Sequence, residues 1–315
     1  MDSKYVAQRE EALKKQIFPQ TKKEDFADFW TEAVKDLRKK ELVVKREKLS
    51  LPYDKTFTTY EITFNTHDDT EIHAYFSCPV GKENEKLPCV AFFHGGSGYK
   101  VIHHDILATG VCCFAMDVRS QGGTSVDKAV YTSGDRMGGL MTRGVLDKNE
   151  FYLKNIYLDA VRAMDVIATL DEVDPARIVT AGVSQGGALS IAASALSGRS
   201  AKCYSIVTSY CCLKERTESG SGVFDSTHAY LRVYPDKTDA VMDTLSYFDI
   251  VNMVSLLKVP VSFCLALADP ICLPPYVYSA YHHAKCEKSI EMYPFVHHDF
   301  PNDYLLLMHR ELAAL

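Results

Sequence analysis

No stretch of this 315-residue sequence approaches the roughly 20 consecutive apolar residues that span a bilayer, and residues 1–16, MDSKYVAQREEALKKQ, lack the apolar core of a secretory signal. A cytoplasmic protein with no membrane partner is expected. Positive charge is not in excess either: 35 Lys and Arg stand against 41 Asp and Glu, for a net charge of -6. The densest basic run, RKKELVVKREK at 38–48, is broken by apolar and acidic residues, which argues against a nucleic-acid partner. None of the ten cysteines forms a C-x-x-C pair, and adjacent pairs such as Cys112 and Cys113 lie inside apolar or small-residue runs, so buried reduced thiols are expected. The histidine doublets at His103 and His104, His282 and His283, and His297 and His298 lack helical i, i+4 spacing with a third ligand. No metal and no cofactor are expected. Internal repeats and low-complexity tracts are also missing.

What is present, 47% hydrophobic and 24% charged residues, is the composition of an ordinary globular chain. The length allows two domains, but a single domain over 1–315 is expected, with a helical extension over 1–50 and an insertion near 213–245. In KEDFADFWTEAVKDLRKKE, the spacing of Phe26, Phe29, Trp30, Ala33 and Leu37 predicts an amphipathic helix. FTTYEITFNTHDDTEIHAYFSCP alternates around Asp68 and Asp69 and reads as a β-hairpin. From residue 87, short continuous apolar runs (PCVAFFHGG, GVCCFAMDV, ARIVTAGVS, KCYSIVTSY, VPVSFCLALAD) alternate with helical segments, as strands buried on both faces do. In the helix expected over 152–171, Ile156, Ala160, Ala163, Ile167 and Leu170 form one stripe, and Asp174 and Pro175 end it before the next strand. The pattern predicts an α/β fold: a mostly parallel central sheet flanked by helices, after an N-terminal helix and hairpin. Ligands of such sheets bind at the carboxyl ends of the strands. LKERTESGSGVFDSTHAYLRVYPDKTDAVMDTL, at 213–245, breaks the alternation and reads as an insertion over that edge.

GVSQGG at 182–187 carries the G-x-S-x-G spacing of a strand-to-helix turn that holds a serine hydroxyl out of a sheet. A serine hydroxyl is a weak nucleophile at neutral pH. It needs a histidine to take its proton, an acid to orient that histidine, and donors for the oxyanion. Downstream, VPVSFCLALADP ends in Asp269, and SIEMYPF runs into VHHDF, giving the chain order Ser, Asp, His. Ser184, Asp269 and His298 are therefore the candidate catalytic residues, with His297 as a supporting or exposed neighbour. As an alternative to that role, Asp269 could cap the helix beginning near Pro274. AFFHGGSGY at 91–99 resembles the H-G-G loop that supplies one oxyanion N–H, so the candidate donors are the backbone N–H groups of Gly96 and Gln185.

These residues, with DVRSQGGTS at 117–125, MTRGVLDKNEFYLKNIYLDAVRAMDVI at 141–167 and TLSYFDIVNMVSLLKVPV at 244–261, resemble the acetyl xylan esterase and cephalosporin C deacetylase group, carbohydrate esterase family seven of the α/β-hydrolases. The resemblance implies a serine carboxylesterase that deacetylates small acetylated carbohydrates and related esters, is cytosolic, and assembles as a hexamer around an internal cavity. It implies the same triad and the same donors, and favours His298 because an acid, Asp299, follows it. Arg119 and Gln121 match the family's R-G-Q motif with Ser120 in place of its glycine, which is expected to strain the loop if that position needs a positive φ. Gly96 replaces a usual tyrosine, and Cys211 and Cys212 stand where the family tends to have Pro and an aromatic, so they are expected at the substrate pocket. Those departures predict tolerance of acyl groups other than acetyl. The remaining alternatives are a thioesterase, lactonase or peptidase using the same triad, or a non-catalytic binding module.

Overall fold

The computed structural model describes residues 3–52, 55–82, 85–134, 139–220 and 222–315. Helices α1 (Lys4–Lys14) and α2 (Phe26–Lys39) come first; α2 buries Phe26, Trp30 and Leu37 of the expected stripe together with Val34, while Phe29 and Ala33 are only partly buried. Strand β1 (Val44–Lys48) follows, and then the hairpin of β2 (Phe57–Asn65) and β3 (Glu71–Pro79). The hairpin turns at Asp69 with φ 63°. The sequence reading missed β1, whose VKREK carries no apolar alternation. It is an exposed strand at the end of the sheet, paired only with β2, and its charges deter further pairing.

The remaining elements alternate: β4 (Leu87–Phe93), α3 (His104–Leu107), β5 (Cys112–Met116), α4 (Tyr152–Ile167), β6 (Val173–Val183), α5 (Gln185–Ser197) and β7 (Lys202–Ile206). Then come α6 (Leu213–Ser219), α7 (Asp225–Val233), α8 (Thr238–Ser246), α9 (Ile250–Met253), β8 (Val261–Ala266), α10 (Pro274–His283), β9 (Lys288–Tyr293) and α11 (Asn302–Leu312). Among the described residues the nine strands form one sheet in the order β1-β2-β3-β5-β4-β6-β7-β8-β9. It is antiparallel as far as the β3–β5 pair and parallel from β5 to β9. The chain leaves β4 toward β5 and returns past it to β6, so the crevice at the carboxyl ends of β4 and β6 is a topological switch point, where such sheets place ligands.

Alternation along β4 shows why its apolar run is continuous. Cys89, Ala91 and Phe93 enter the larger core, with α2, α4, α5, α9 and α10, while Val90 and Phe92 enter a smaller one with α3 and α11. The helix expected to show one stripe, α4, is instead buried almost all round. Its outer side is covered: Asp165 pairs with Arg38 of α2, and Arg162 donates to the carbonyls of Lys40, Glu41 and Asn65. It ends at Ile167, and Asp174 and Pro175 lie within the irregular start of β6, where the register against β4 shifts, rather than stopping the helix. The described part of 213–245 carries helices α6, α7 and α8, and its glycines, Gly220 and Gly222, fall between α6 and α7. No described helix is long and apolar enough to cross a membrane.

Candidate active site

Ser184 sits between the last residue of β6 and the first of α5, with φ 58° and ψ -116°. A side chain held there costs on the order of 1–3 kcal/mol, so the surroundings must impose it. They do: the Ser184 N–H donates to the Ile206 carbonyl at 2.8 Å, and the Ser184 carbonyl accepts from Ser209 N at 3.0 Å. The flanking glycines are steric necessities. A Cβ on Gly186 would lie 1.8 Å from the Phe93 carbonyl oxygen, and one on Gly182 would lie 2.4 Å from the backbone of Gly186. The turn can therefore close only where both positions lack side chains, and it leaves the serine as its most prominent group.

Gln185, the first residue of α5, has a backbone N–H with no intrahelical acceptor. The Gly96 N–H also lacks a protein acceptor among the described residues, and both residues line the cavity that contains Ser184. The Gly96 loop is pinned from beneath. Half-buried His94 accepts from Val118 N through Nε2 at 2.9 Å and donates from Nδ1 to the Gly95 carbonyl at 2.7 Å, and the loss of solvation lowers its proton affinity.

Gln121 ties the two donor segments together. Its Oε1 accepts from Ser97 N at 2.9 Å and from Gln185 Nε2 at 3.1 Å, while its Nε2 donates to Gln185 Oε1 at 2.7 Å. Tyr210 donates its hydroxyl to the same Gln185 oxygen at 2.7 Å. Ser120 adopts φ 59°, so the serine in place of the motif's glycine is held in the left-handed region, and its Oγ accepts from Arg143 Nη1 at 2.9 Å. Ser97, Tyr210 and Cys212 also have positive φ, so backbone strain gathers around this edge.

Asp269 and His298 are brought together: Nδ1 of the ring donates to Asp269 Oδ2 at 2.8 Å. Asp269 is 3% exposed and its Oδ1 accepts from Ile271 N and Cys272 N at 2.8 and 2.9 Å. It does not cap α10, whose N-cap residue is Leu273. The Asp269 carboxylate, and after it Cys272, raises the proton affinity of His298 above that of an ordinary histidine, against the opposing effect of burial. His297 is exposed. No hydrogen bond joins Ser184 Oγ to His298 among the described residues, a gap common in catalytic sites without substrate.

The cavity beside Ser184 has a volume of about 230 Å³. Its walls are Leu140, Met141, Ser209, Tyr210, Val223 and Ser226, the last two from the 213–245 segment. Cys211 and Cys212, expected at the pocket, are buried and do not line it. Their backbone serves the fold: Asp249 accepts from Cys212 N and Leu213 N, and Arg216 Nε donates to the Cys211 carbonyl. Positive φ at Tyr210 and Cys212 turns the thiols into the core and leaves Ser209 and Tyr210 at the cavity. Nothing in the sequence pattern pointed to Leu140, Met141 or Tyr210. Cys272, whose Sγ lies within 4.8 Å of donor atoms on Asp269 and His298, was visible only as one cysteine of ten.

The geometry can support attack by a serine hydroxyl, proton transfer to an imidazole held by a carboxylate, and stabilisation of an oxyanion by two N–H groups. A family model described as acetyl xylan esterase (AXE1) matches residues 8–308. The chain is 26% identical over 270 residues to acetyl esterase Axe7A of Xylanibacter ruminicola, an alignment that takes in 82% of the chain but only 60% of that relative's length. Among solved structures, it superposes with a TM-score of 0.90 and 30% identity on an acetyl xylan esterase from Paenibacillus sp. R4, covering 96% of this chain and 98% of that one. Acetyl xylan esterase 1 from Thermoanaerobacterium sp. JW/SL YS485 gives the same TM-score and coverage at 27% identity.

Proposed function

The chain belongs to the acetyl xylan esterase family, and from that premise we propose that it removes acetyl groups from small acetylated carbohydrates, acetylated xylooligosaccharides foremost, through an acyl-enzyme on Ser184. The observation that carries the reading is the conjunction of a strained Ser184 between two uncommitted N–H groups with a His298 ring held at 2.8 Å by Asp269. The Ser184 hydroxyl turns onto His298 Nε2 as the ester enters. His298 takes its proton, Ser184 Oγ bonds to the carbonyl carbon, and the Gly96 and Gln185 N–H groups receive the oxyanion. The imidazolium, stabilised by Asp269, protonates the departing sugar hydroxyl. Water then attacks the acetyl-serine by the same route and acetate leaves.

The reading includes three finer statements. Cephalosporin C and other small acetate esters are substrates; the cavity, larger than an acetyl group, also admits longer acyl chains; and copies assemble in the cytoplasm as a hexamer, which light scattering checks. The test of the reaction is labelling by a fluorophosphonate together with hydrolysis of p-nitrophenyl acetate and butyrate. Labelling at Ser184, and loss of hydrolysis by a factor on the order of 10⁴ to 10⁶ in Ser184→Ala, are the expected results. Hydrolysis that survives Ser184→Ala overturns the mechanism, and a steep fall from acetate to butyrate overturns the broader acyl tolerance.

A further inference from the structure

We propose that Asp269, Cys272 and His298 form a binding site for a soft divalent cation such as Zn²⁺ or Cd²⁺, and that its occupation switches the esterase off. The donor atoms of the three side chains all lie within 4.8 Å of one another. They come from two chain segments, the loop after β8 and the loop after β9, that the sheet holds side by side. The loop after β8 is already rigid: Asp269 Oδ1 holds the N–H groups of Ile271 and Cys272, and the Ile271 carbonyl accepts from Arg216 Nη1 at 2.9 Å.

A thiol, an imidazole nitrogen and a carboxylate together form the donor set that zinc takes, and the thiol tilts selectivity toward soft ions over Mg²⁺ or Ca²⁺. Around such an ion, donors stand about 3.2–3.8 Å apart. The spread here closes by about an ångström, and the 2.8 Å pair of His298 Nδ1 and Asp269 Oδ2 opens by less than one. Cys272 is fully buried, but the His298 side chain is 21% exposed, giving the ion a path from solvent and water a place as fourth ligand. No electrons move, and no electron pair is left over: the thiol proton passes to water as sulfur bonds to the ion, the Nδ1 proton moves by way of water to Nε2 as Nδ1 bonds to it, and a neutral imidazole protonated at Nε2 cannot take the Ser184 proton. Triad chemistry has no use for sulfur at position 272. A cysteine there serving only as a small apolar filler binds no ion.

The inhibition rests on the reading proposed above, whereas the binding does not, so the two are measured separately. Binding is followed by the ultraviolet charge-transfer band of cadmium thiolate during Cd²⁺ titration of Ser184→Ala, alone and combined with Cys272→Ser, Cys272→Ala or His298→Asn. Inhibition is followed as p-nitrophenyl acetate hydrolysis by wild type, Cys272→Ser, Cys272→Ala and Cys286→Ser. Cys286 is the half-buried cysteine and serves as the control for a competing thiol. The expected results are a band saturating at one Cd²⁺ per chain that a chelator reverses, at least tenfold weaker binding in His298→Asn, and loss of the band in both Cys272 variants. Half-inhibition should need at least tenfold more Cd²⁺ in the Cys272 variants, each against its own uninhibited rate, and be unmoved in Cys286→Ser. A wild type that hydrolyses ester but gives no band overturns the site, as does unchanged binding in His298→Asn or equal sensitivity in the Cys272 variants. A band without any esterase activity leaves the site standing and sinks the esterase reading instead.

Discussion

Two polar clusters flank Gln121, and they are built on opposite terms. On one side Arg119 is fully buried and its guanidinium donates to Asp159 through Nε and Nη2, to Asp68 through Nη1 and Nη2, to Asp127 through Nη1 and to Thr66 through Nη2. On the other, Ser184 is strained and the N–H groups of Gly96 and Gln185 are held without protein acceptors among the described residues. The satisfied cluster ties β5 and the loop after it to α4 and the hairpin turn, while the unsatisfied one, on the mechanism proposed above, receives charge that exists only during reaction. Tyr152 links them: its hydroxyl donates to the Arg119 carbonyl and accepts from Gln121. Satisfaction in one place makes the deficit in the other tolerable, because a rigid frame keeps the loose groups from finding partners of their own.

Even the satisfied cluster is not electrically balanced. Three carboxylates face the Arg119 guanidinium, and Arg143 comes within 3.9 Å of one of them, Asp127; Arg119 holds Asp68 well below the usual carboxylate range, yet burial and its acidic neighbours push Asp159 up to about 6. The two groups respond to pH with opposite signs. Asp68 contributes stability above its unfolded value that is lost as pH falls, whereas the ionised Asp159 weakens the fold as pH rises through about 6.

The largest expected effect comes from the reactive side. Asp269→Asn should lower kcat by about 10⁴ while leaving the fold intact, since it changes the tautomer and charge of the His298 partner rather than its place. His298 works as a base only when neutral, so kcat/KM falls as pH drops through its pKa. The Asp269 carboxylate places that acidic limb above the ordinary histidine range, and the variant's residual activity should show the limb moved to lower pH. A limb that does not move would separate Asp269 from His298 and remove half of the contrast.

Next in size is the satisfied side. Arg119→Met strands buried carboxylates and should cost about 3–5 kcal/mol in urea unfolding. A loss below about 1 kcal/mol would mean that the cluster frames nothing. Smallest is the boundary between them. Ser120→Gly relieves a left-handed serine but gives up the Arg143 bond, so stability should change by less than about 1 kcal/mol and kcat/KM by less than about threefold. A larger loss of rate would show that strain at Ser120 positions Gln121.

Steric and local features were legible in the sequence. Glycines on both sides of Ser184 are forced by contacts under 3 Å, the hairpin alternates around its turn, and buried parallel strands read as unbroken apolar runs. What escaped depended on covering and on chain reversals. α4 is buried on its outer side by α2, the carbonyls of Lys40 and Glu41 before β1, and that of Asn65 at the end of β2, which no stripe of its own records. Cys211 and Cys212 were expected at the pocket because the family they resemble tends to have Pro and an aromatic there, but the positive φ values of Tyr210 and Cys212 swing the thiols inward and leave the cavity to Ser209 and Tyr210. Cys272 entered the site through a loop whose course is fixed by hydrogen bonds to Asp269, which residue spacing does not encode.

The most direct test of the central claim, that the unsatisfied groups around Ser184 serve acyl transfer to a sugar-ester substrate, is acetate release from an acetylated xylooligosaccharide followed by NMR for wild type and Ser184→Ala. Release by wild type, with loss on the order of 10⁴-fold or more in the variant, is what the geometry predicts. Equal release by both proteins, or none by wild type while p-nitrophenyl acetate is cleaved, would contradict it.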